Sequence, residues 1–69
     1  TLNGANLTSA NLVAANCSQA SLIKVNFSSA NLTSSNLERA NLNRAILTGV
    51  KLVNANLQFS ELQLSNLSK

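Results

Sequence analysis

The sequence contains no proline, histidine, tryptophan or tyrosine, and its 69 residues include only two phenylalanines and one cysteine. A single cysteine cannot close a disulfide within the chain, and without histidine there is no Cys/His set for structural zinc. Apolar residues never run together for the roughly 18 positions that a membrane-spanning helix requires. These shortages exclude a disulfide-stapled mini-protein and a zinc finger, and we expect no membrane span.

Charged residues are also scarce: five Lys or Arg stand against two Asp or Glu, which gives a formal net charge of +3. The two acidic residues, Glu38 and Glu61, do not occupy equivalent positions in the repeat described next. The chain has no glycine-rich phosphate loop, metal-ligand set or nucleophile elbow. The sequence therefore predicts a protein without enzymatic activity, cofactor or metal.

A repeat of five residues runs through the whole chain. We name its positions small, outer, centre, first corner and second corner, as in the repeat formed by Ala30, Asn31, Leu32, Thr33 and Ser34. Fourteen centres follow one another at five-residue intervals, and all are Leu except Cys17 and Phe27. Nine of the 14 outer positions are Asn. Such regularity predicts one structural unit per five residues.

This period fits neither regular element of secondary structure. On an α-helix, steps of five residues would spread the leucines around the whole cylinder. On a flat strand, an odd step would turn successive leucines to opposite faces. The chain must therefore bend once per repeat, with the small and centre residues inside, the outer residue outside and the corner residues at the bend. The sequence predicts a solenoid with a Leu/Ala core, in which three or four repeats could close one coil.

Residues 5–9 (ANLTS), 30–34 (ANLTS) and 40–44 (ANLNR) resemble the A-(N/D)-L-x-x unit of pentapeptide repeat proteins. The resemblance covers the entire chain. It implies an all-β fold, a right-handed four-sided parallel β-helix with twenty residues per coil and about three and a half coils. We expect one domain spanning residues 1–69, as part of a longer protein or capped by another molecule, because solenoid ends need cover.

Twenty residues per coil would stack positively charged residues on two neighbouring corners. One corner column contains Lys24 and Arg44, and the next contains Arg39. These three cations form either a ridge for an acidic partner or a solvated rim. Binding to nucleic acid is disfavoured, because the net charge is low and no ladder of exposed aromatic residues accompanies it.

Phe59 and Leu64 are large apolar residues at second corner positions that are otherwise mostly small or polar. They predict a docking patch for a protein partner, a second copy or a terminal cap; the alternative is two unrelated exposed residues. The resemblance adds a homodimer joined through C-terminal ends as one candidate.

Three further features carry less weight. An Asn- and Thr-bearing side could order water as ice-binding solenoids do, or its short polar residues simply suit tight corners. Asn-x-Ser/Thr sequons arise automatically from the repeat, so they do not indicate glycosylation. As a centre residue, Cys17 is predicted to be a buried small apolar residue rather than a nucleophile.

The resemblance implies a non-catalytic scaffold that binds other proteins. Some members of the family mimic DNA and bind gyrase, conferring quinolone resistance, but such mimicry requires an acidic rod, which a chain of net charge +3 does not provide. A repeat domain of a bacterial effector that binds a host protein is a second alternative. We expect a cytoplasmic location, with a secreted effector or an organelle lumen as alternatives.

Overall fold

The computed structural model describes residues 1–63 and 65. Within this part of the chain there is no helix, and strand pairing is limited to single-residue bridges at outer positions. Every bridge is parallel and joins residues twenty apart, so four repeats complete one coil of the solenoid. The bridged pairs are Asn6–Asn26, Asn11–Asn31, Asn16–Asn36, Ser21–Asn41, Asn26–Ile46, Asn31–Lys51, Asn36–Asn56 and Asn41–Glu61.

Each side of a coil is too short to form a longer strand. Only three residues, at the small, outer and centre positions, separate one turn from the next. A ladder of normal strand length needs about five or six residues. The pairing predicted for a parallel β-helix is therefore present, but it is divided into one bridge per repeat.

The corners are tight turns whose second residue is left-handed. Each turn is closed by a hydrogen bond from the N–H of the next small residue to the centre carbonyl, as between Ser35 and Leu32 at 3.0 Å. Positive φ at the third residue of such a turn defines type II and normally calls for glycine or asparagine. Here ten residues other than glycine adopt φ between 59° and 63°: Ser9, Ala14, Gln19, Lys24, Ser29, Ser34, Arg39, Arg44, Asn54 and Phe59.

The core lies in the middle of the solenoid, where each repeat is covered by a neighbouring coil on both sides. Small and centre side chains point inward, as the repeat predicts, and those from residues 22–47 are fully buried. The earlier and later repeats contribute partly buried residues, including Cys17 and Leu57, that pack against this cluster. The buried apolar residues are Leu22, Val25, Phe27, Ala30, Leu32, Leu37, Ala40, Leu42, Ala45 and Leu47.

Backbone hydrogen bonds use four of the five N–H groups of a typical inner repeat, three of them between coils. The small position bonds within its turn, and the outer position bonds to the preceding coil. The centre and second corner positions both bond to the following coil. The N–H of the first corner position remains without a backbone partner, so a side chain or water must satisfy it.

Candidate interaction surface

Asparagine at the outer position supplies the missing partner. In all eight described repeats that have Asn there, its Oδ1 accepts the N–H of the first corner residue, two positions later, at 3.0–3.2 Å. This is the Asx-turn geometry that short amide side chains favour. In three of these repeats, those with Thr8, Ser28 and Thr33, the hydroxyl of the first corner residue also donates to the same oxygen at 2.6–2.7 Å.

The outer asparagines are thus structural, although they lie on the surface. The five-residue period predicts that they point outward, but it does not predict this hydrogen-bonding role. Their recurrence at nine of 14 outer positions was the available signal. With the Oδ1 atoms occupied by the chain's own backbone, the asparagine columns are poor candidates for a binding site.

One side of the solenoid has cations along both of its edges. We call it the basic-edged face; it comprises residues 21–23, 41–43 and 61–63. The corner that follows it contains Lys24 and Arg44, and the corner that precedes it contains Arg39 and Phe59, all four exposed. The structure therefore places Lys24 and Arg44 in one corner column and Arg39 in the neighbouring column, with the basic-edged face between the two columns.

Arg39 and Phe59 form a cation–π pair at the preceding corner. The guanidinium Cζ lies 5.4 Å from the centroid of the phenyl ring, which is within the range of this interaction. The phenylalanine nevertheless remains 74% exposed. Leu64, the other residue of the predicted patch, lies outside the described residues. The pair combines an apolar ring and a positive charge at the edge of the basic-edged face.

The middle of this face is polar and internally hydrogen-bonded. Asn43 Nδ2 donates to Glu61 Oε1 at 3.2 Å, and Ser21 Oγ donates to Asn3 Oδ1 at 2.8 Å. Two first corner N–H groups that follow a non-Asn outer residue, those of Ile23 and Gln63, donate at 2.9 Å to Asn3 and Asn43 of the preceding coil. The face is therefore fixed by side chains across coils, and it presents a preformed surface.

Metal-binding groups, cavities and the single thiol were the other candidates for a site among the described residues. No group of three or more His, Cys, Asp or Glu is close enough to hold a metal ion in that part of the chain.

An apolar cavity of about 100 Å³ is lined by leucines at centre positions: Leu32, Leu37, Leu42, Leu47, Leu52, Leu57 and Leu62. Partial burial raises the pKa of the Cys17 thiol, which makes it a poorer nucleophile. Residues 1–63 and 65 contain no helix that is long and apolar enough to cross a membrane.

Two solved structures illustrate what the chain is similar to. A pentapeptide repeat protein from the Arabidopsis thaliana thylakoid lumen matches 96% of this chain and 60% of its own, with 18% identity and a TM-score of 0.50. A pentapeptide repeat protein from the cyanobacterium Cyanothece matches 88% of this chain and 52% of its own, with 34% identity and a TM-score of 0.38. The chain thus spans only 60% and 52% of the lengths of these two proteins.

The first of these likenesses supports the fold alone, since its identity is low, and it implies a right-handed, four-sided β-helix. No curated protein matches the sequence. The family model for pentapeptide repeats matches in eight copies over residues 2–39 and 30–68, which together cover nearly the whole chain. On this match, the protein belongs to the pentapeptide repeat family.

Proposed function

We propose that the chain is a non-catalytic scaffold that binds an acidic protein partner through the basic-edged face. The carrying observation is that cations border this face on both edges, with Lys24 and Arg44 on one side and Arg39, stacked on Phe59, on the other. We also propose a single domain over residues 1–69, wound into about three and a half coils, because fourteen repeats at four per coil give that number.

A rigid face suits recognition because its charges are held at fixed separations. The corner residues are set by tight turns and by hydrogen bonds between coils, so little backbone ordering accompanies binding. Electrostatic complementarity raises association rates and selects partners of opposite charge. Aromatic residues and Arg are enriched where partners bind, and Phe59 and Arg39 provide both. A partner with acidic side chains spaced across one face matches these features.

The DNA-mimic alternative has no support from this surface. Duplex DNA presents a dense, regular array of negative charge. Around the basic-edged face the cations Lys24, Arg39 and Arg44 stand against the two acids Glu38 and Glu61, and the outer positions of the chain are mostly neutral Asn. We therefore retain an acidic partner as the proposal.

The test uses a fluorescent 15-residue peptide of alternating Glu and Leu, with a Gln/Leu peptide of equal length as control. The Glu peptide should bind with an affinity that falls as salt is added, because exposed charge pairs are screened. Lys24→Gln should weaken binding about threefold or more, whereas Lys69→Gln removes the same charge at another position and should change it little.

Nuclear magnetic resonance of the isotope-labelled chain locates the contact. Backbone signals of residues 21–24 and 41–44 should move during titration, and those of residues 31–34 should not. Equal effects of Lys24→Gln and Lys69→Gln, or signals that move uniformly, would show attraction by net charge alone and would overturn the proposal.

A further inference from the structure

A second surface lies on the opposite side of the coil from the basic-edged face. We call it the valine face; it comprises residues 11–13, 31–33 and 51–53. Its first corner positions are Val13, Thr33 and Val53, stacked twenty residues apart, and Val13 and Val53 are 49% and 63% exposed. Thr33 lies between them, and its hydroxyl donates a hydrogen bond to Asn31 Oδ1 at 2.6 Å. This face is therefore more apolar than the others.

The asparagine cap is absent from two successive repeats at this point. The outer positions are Ile46 and Lys51, and neither side chain can accept a hydrogen bond. Among the residues that the structure describes, the N–H groups of Thr48 and Val53 find no hydrogen-bond partner. Elsewhere a neighbouring coil supplies a replacement, as Asn3 does for Ile23. The N–H of Val53 thus lacks the oxygen that eight other repeats provide.

Lys51 changes the character of this unfilled position. Its exposed side chain begins where the asparagine would stand, so its ammonium can reach the region next to the Val53 N–H. In the intact repeats, an sp² oxygen of a planar amide lies 3.0–3.2 Å from the equivalent nitrogen. A carboxylate oxygen has the same shape, and it also carries the charge that the ammonium favours.

We propose that the Val53 N–H and the Lys51 ammonium together bind a carboxylate of a protein partner, an Asp or Glu side chain flanked by apolar residues. The oxygen would take the place of the missing asparagine Oδ1. The apolar flanks would pack on Val53, which is 63% exposed. A carboxylate on an apolar segment fits both parts of this surface, whereas a free phosphate would use only the charged part.

Two blocked peptides test the proposal, acetyl-Leu-Asp-Leu-amide and its Asn counterpart. They are titrated into the isotope-labelled chain while the amide signals are followed by nuclear magnetic resonance. The Asp peptide should move the Val53 amide proton downfield, as a new hydrogen bond to a charged oxygen does. The Val13 amide is the internal reference, because Asn11 already accepts it at 3.2 Å.

Two variants at one residue separate the N–H from the charge. Lys51→Ala removes the ammonium but leaves the N–H open, so affinity should fall about threefold while Val53 remains the signal that moves most. Lys51→Asn supplies the cap from within the chain, so the Val53 shift should disappear and the melting temperature should rise. A thermal melt of both variants confirms folding and shows whether the cap forms.

Each other outcome rejects the proposal. Equal loss in Lys51→Ala and Lys51→Asn would mean that charge alone attracts the peptide. A Val53 signal that moves no more than that of Val13 would mean that the N–H is not used. Tighter binding of inorganic phosphate than of the Asp peptide, at equal ionic strength, would assign the position to a phosphate and not to a protein carboxylate.

Discussion

The guanidinium of Arg39 lies over the ring of Phe59, with Cζ 5.4 Å from the ring centroid, and the two residues are twenty apart in the sequence. They occupy the same corner of successive coils, so the repeat stacks the two residues, and the orientation of their side chains brings them into contact. The exposed ring of Phe59 thereby packs against the Arg39 side chain of the preceding coil. The same arrangement leaves one side of the ring and the charge available to another molecule.

The first prediction concerns this corner. Phe59→Ser combined with Leu64→Ser should abolish any self-association, because both apolar groups that could bury against a second copy are removed. Light scattering gives the mass in solution before and after the change. Arg39→Gln serves as control, since it removes only a pair worth about 0.5–1 kcal/mol. If the unmodified chain is already monomeric and the double change leaves mass and stability unaltered, this patch has no role in self-association.

Much of this architecture could be predicted from the sequence because a strict period determines which residues share an environment. The inward direction of Leu37 and the outward direction of Asn36 followed from spacing alone, and both are confirmed. The pairing of Arg39 with Phe59 did not follow, because spacing shows which residues stack but not how long side chains orient across coils.

The left-handed backbone conformation of the second corner residues was not predicted from the sequence. None of the 14 second corner residues is β-branched, whereas six of the 14 first corner residues are Val, Ile or Thr. Since β-branched side chains are strongly disfavoured at positive φ, this contrast was a usable signal of left-handed turns. The capping role of Asn depends on which backbone N–H groups lack a backbone partner, and only the structure shows this.

The second prediction compares the inside of a repeat with its outside. Leu37 is 1% exposed, so Leu37→Ala should cost about 2–5 kcal/mol and Leu37→Asp should prevent folding. Asn36→Ala removes only the cap of the Glu38 N–H and should cost about 1 kcal/mol. Asn36→Asp keeps the accepting oxygen and should cost less still. Urea unfolding measures all three folded variants, and a larger cost for Asn36→Ala than for Leu37→Ala would reverse the assignment of inside and outside.

The third prediction concerns the one fully buried polar side chain among the described residues. Ser35 is 1% exposed, and its Oγ has no hydrogen-bond partner. Ser60 and Ser65, at equivalent small positions, instead donate to the preceding centre carbonyl at 2.8 Å. Ser35→Ala should therefore raise the free energy of unfolding by about 1 kcal/mol, because it removes a desolvated hydroxyl. Ser60→Ala is the matched control and should lower it. A destabilising Ser35→Ala would indicate that the hydroxyl is in fact bonded.

The fourth prediction concerns alkaline pH. Desolvation raises the pKa of the Cys17 thiol above its ordinary value of 9.0, so the folded chain holds its proton more tightly than the unfolded chain does. The resulting stabilisation is complete below the unfolded pKa and is lost as pH rises through the folded pKa. Stability should thus fall more steeply above about pH 9 in the unmodified chain than in Cys17→Ala. Thermal melts across this range provide the comparison, and parallel curves would show that the thiol does not titrate differently on folding.

The fifth prediction concerns the left-handed corners and uses two adjacent residues. Ser34 has φ of 61°, where a β-branched side chain crowds its own backbone, so Ser34→Val should cost at least about 1–2 kcal/mol. Thr33→Val places the same residue one position earlier, in the column where Val13 and Val53 already fit, and loses only the hydroxyl bond to Asn31. Ser34→Gly should be neutral or stabilising, because glycine adopts this φ without strain. Urea unfolding of the three variants should rank Ser34→Val as the least stable. If Thr33→Val proved the more damaging, side-chain hydrogen bonding rather than backbone conformation would control the corner.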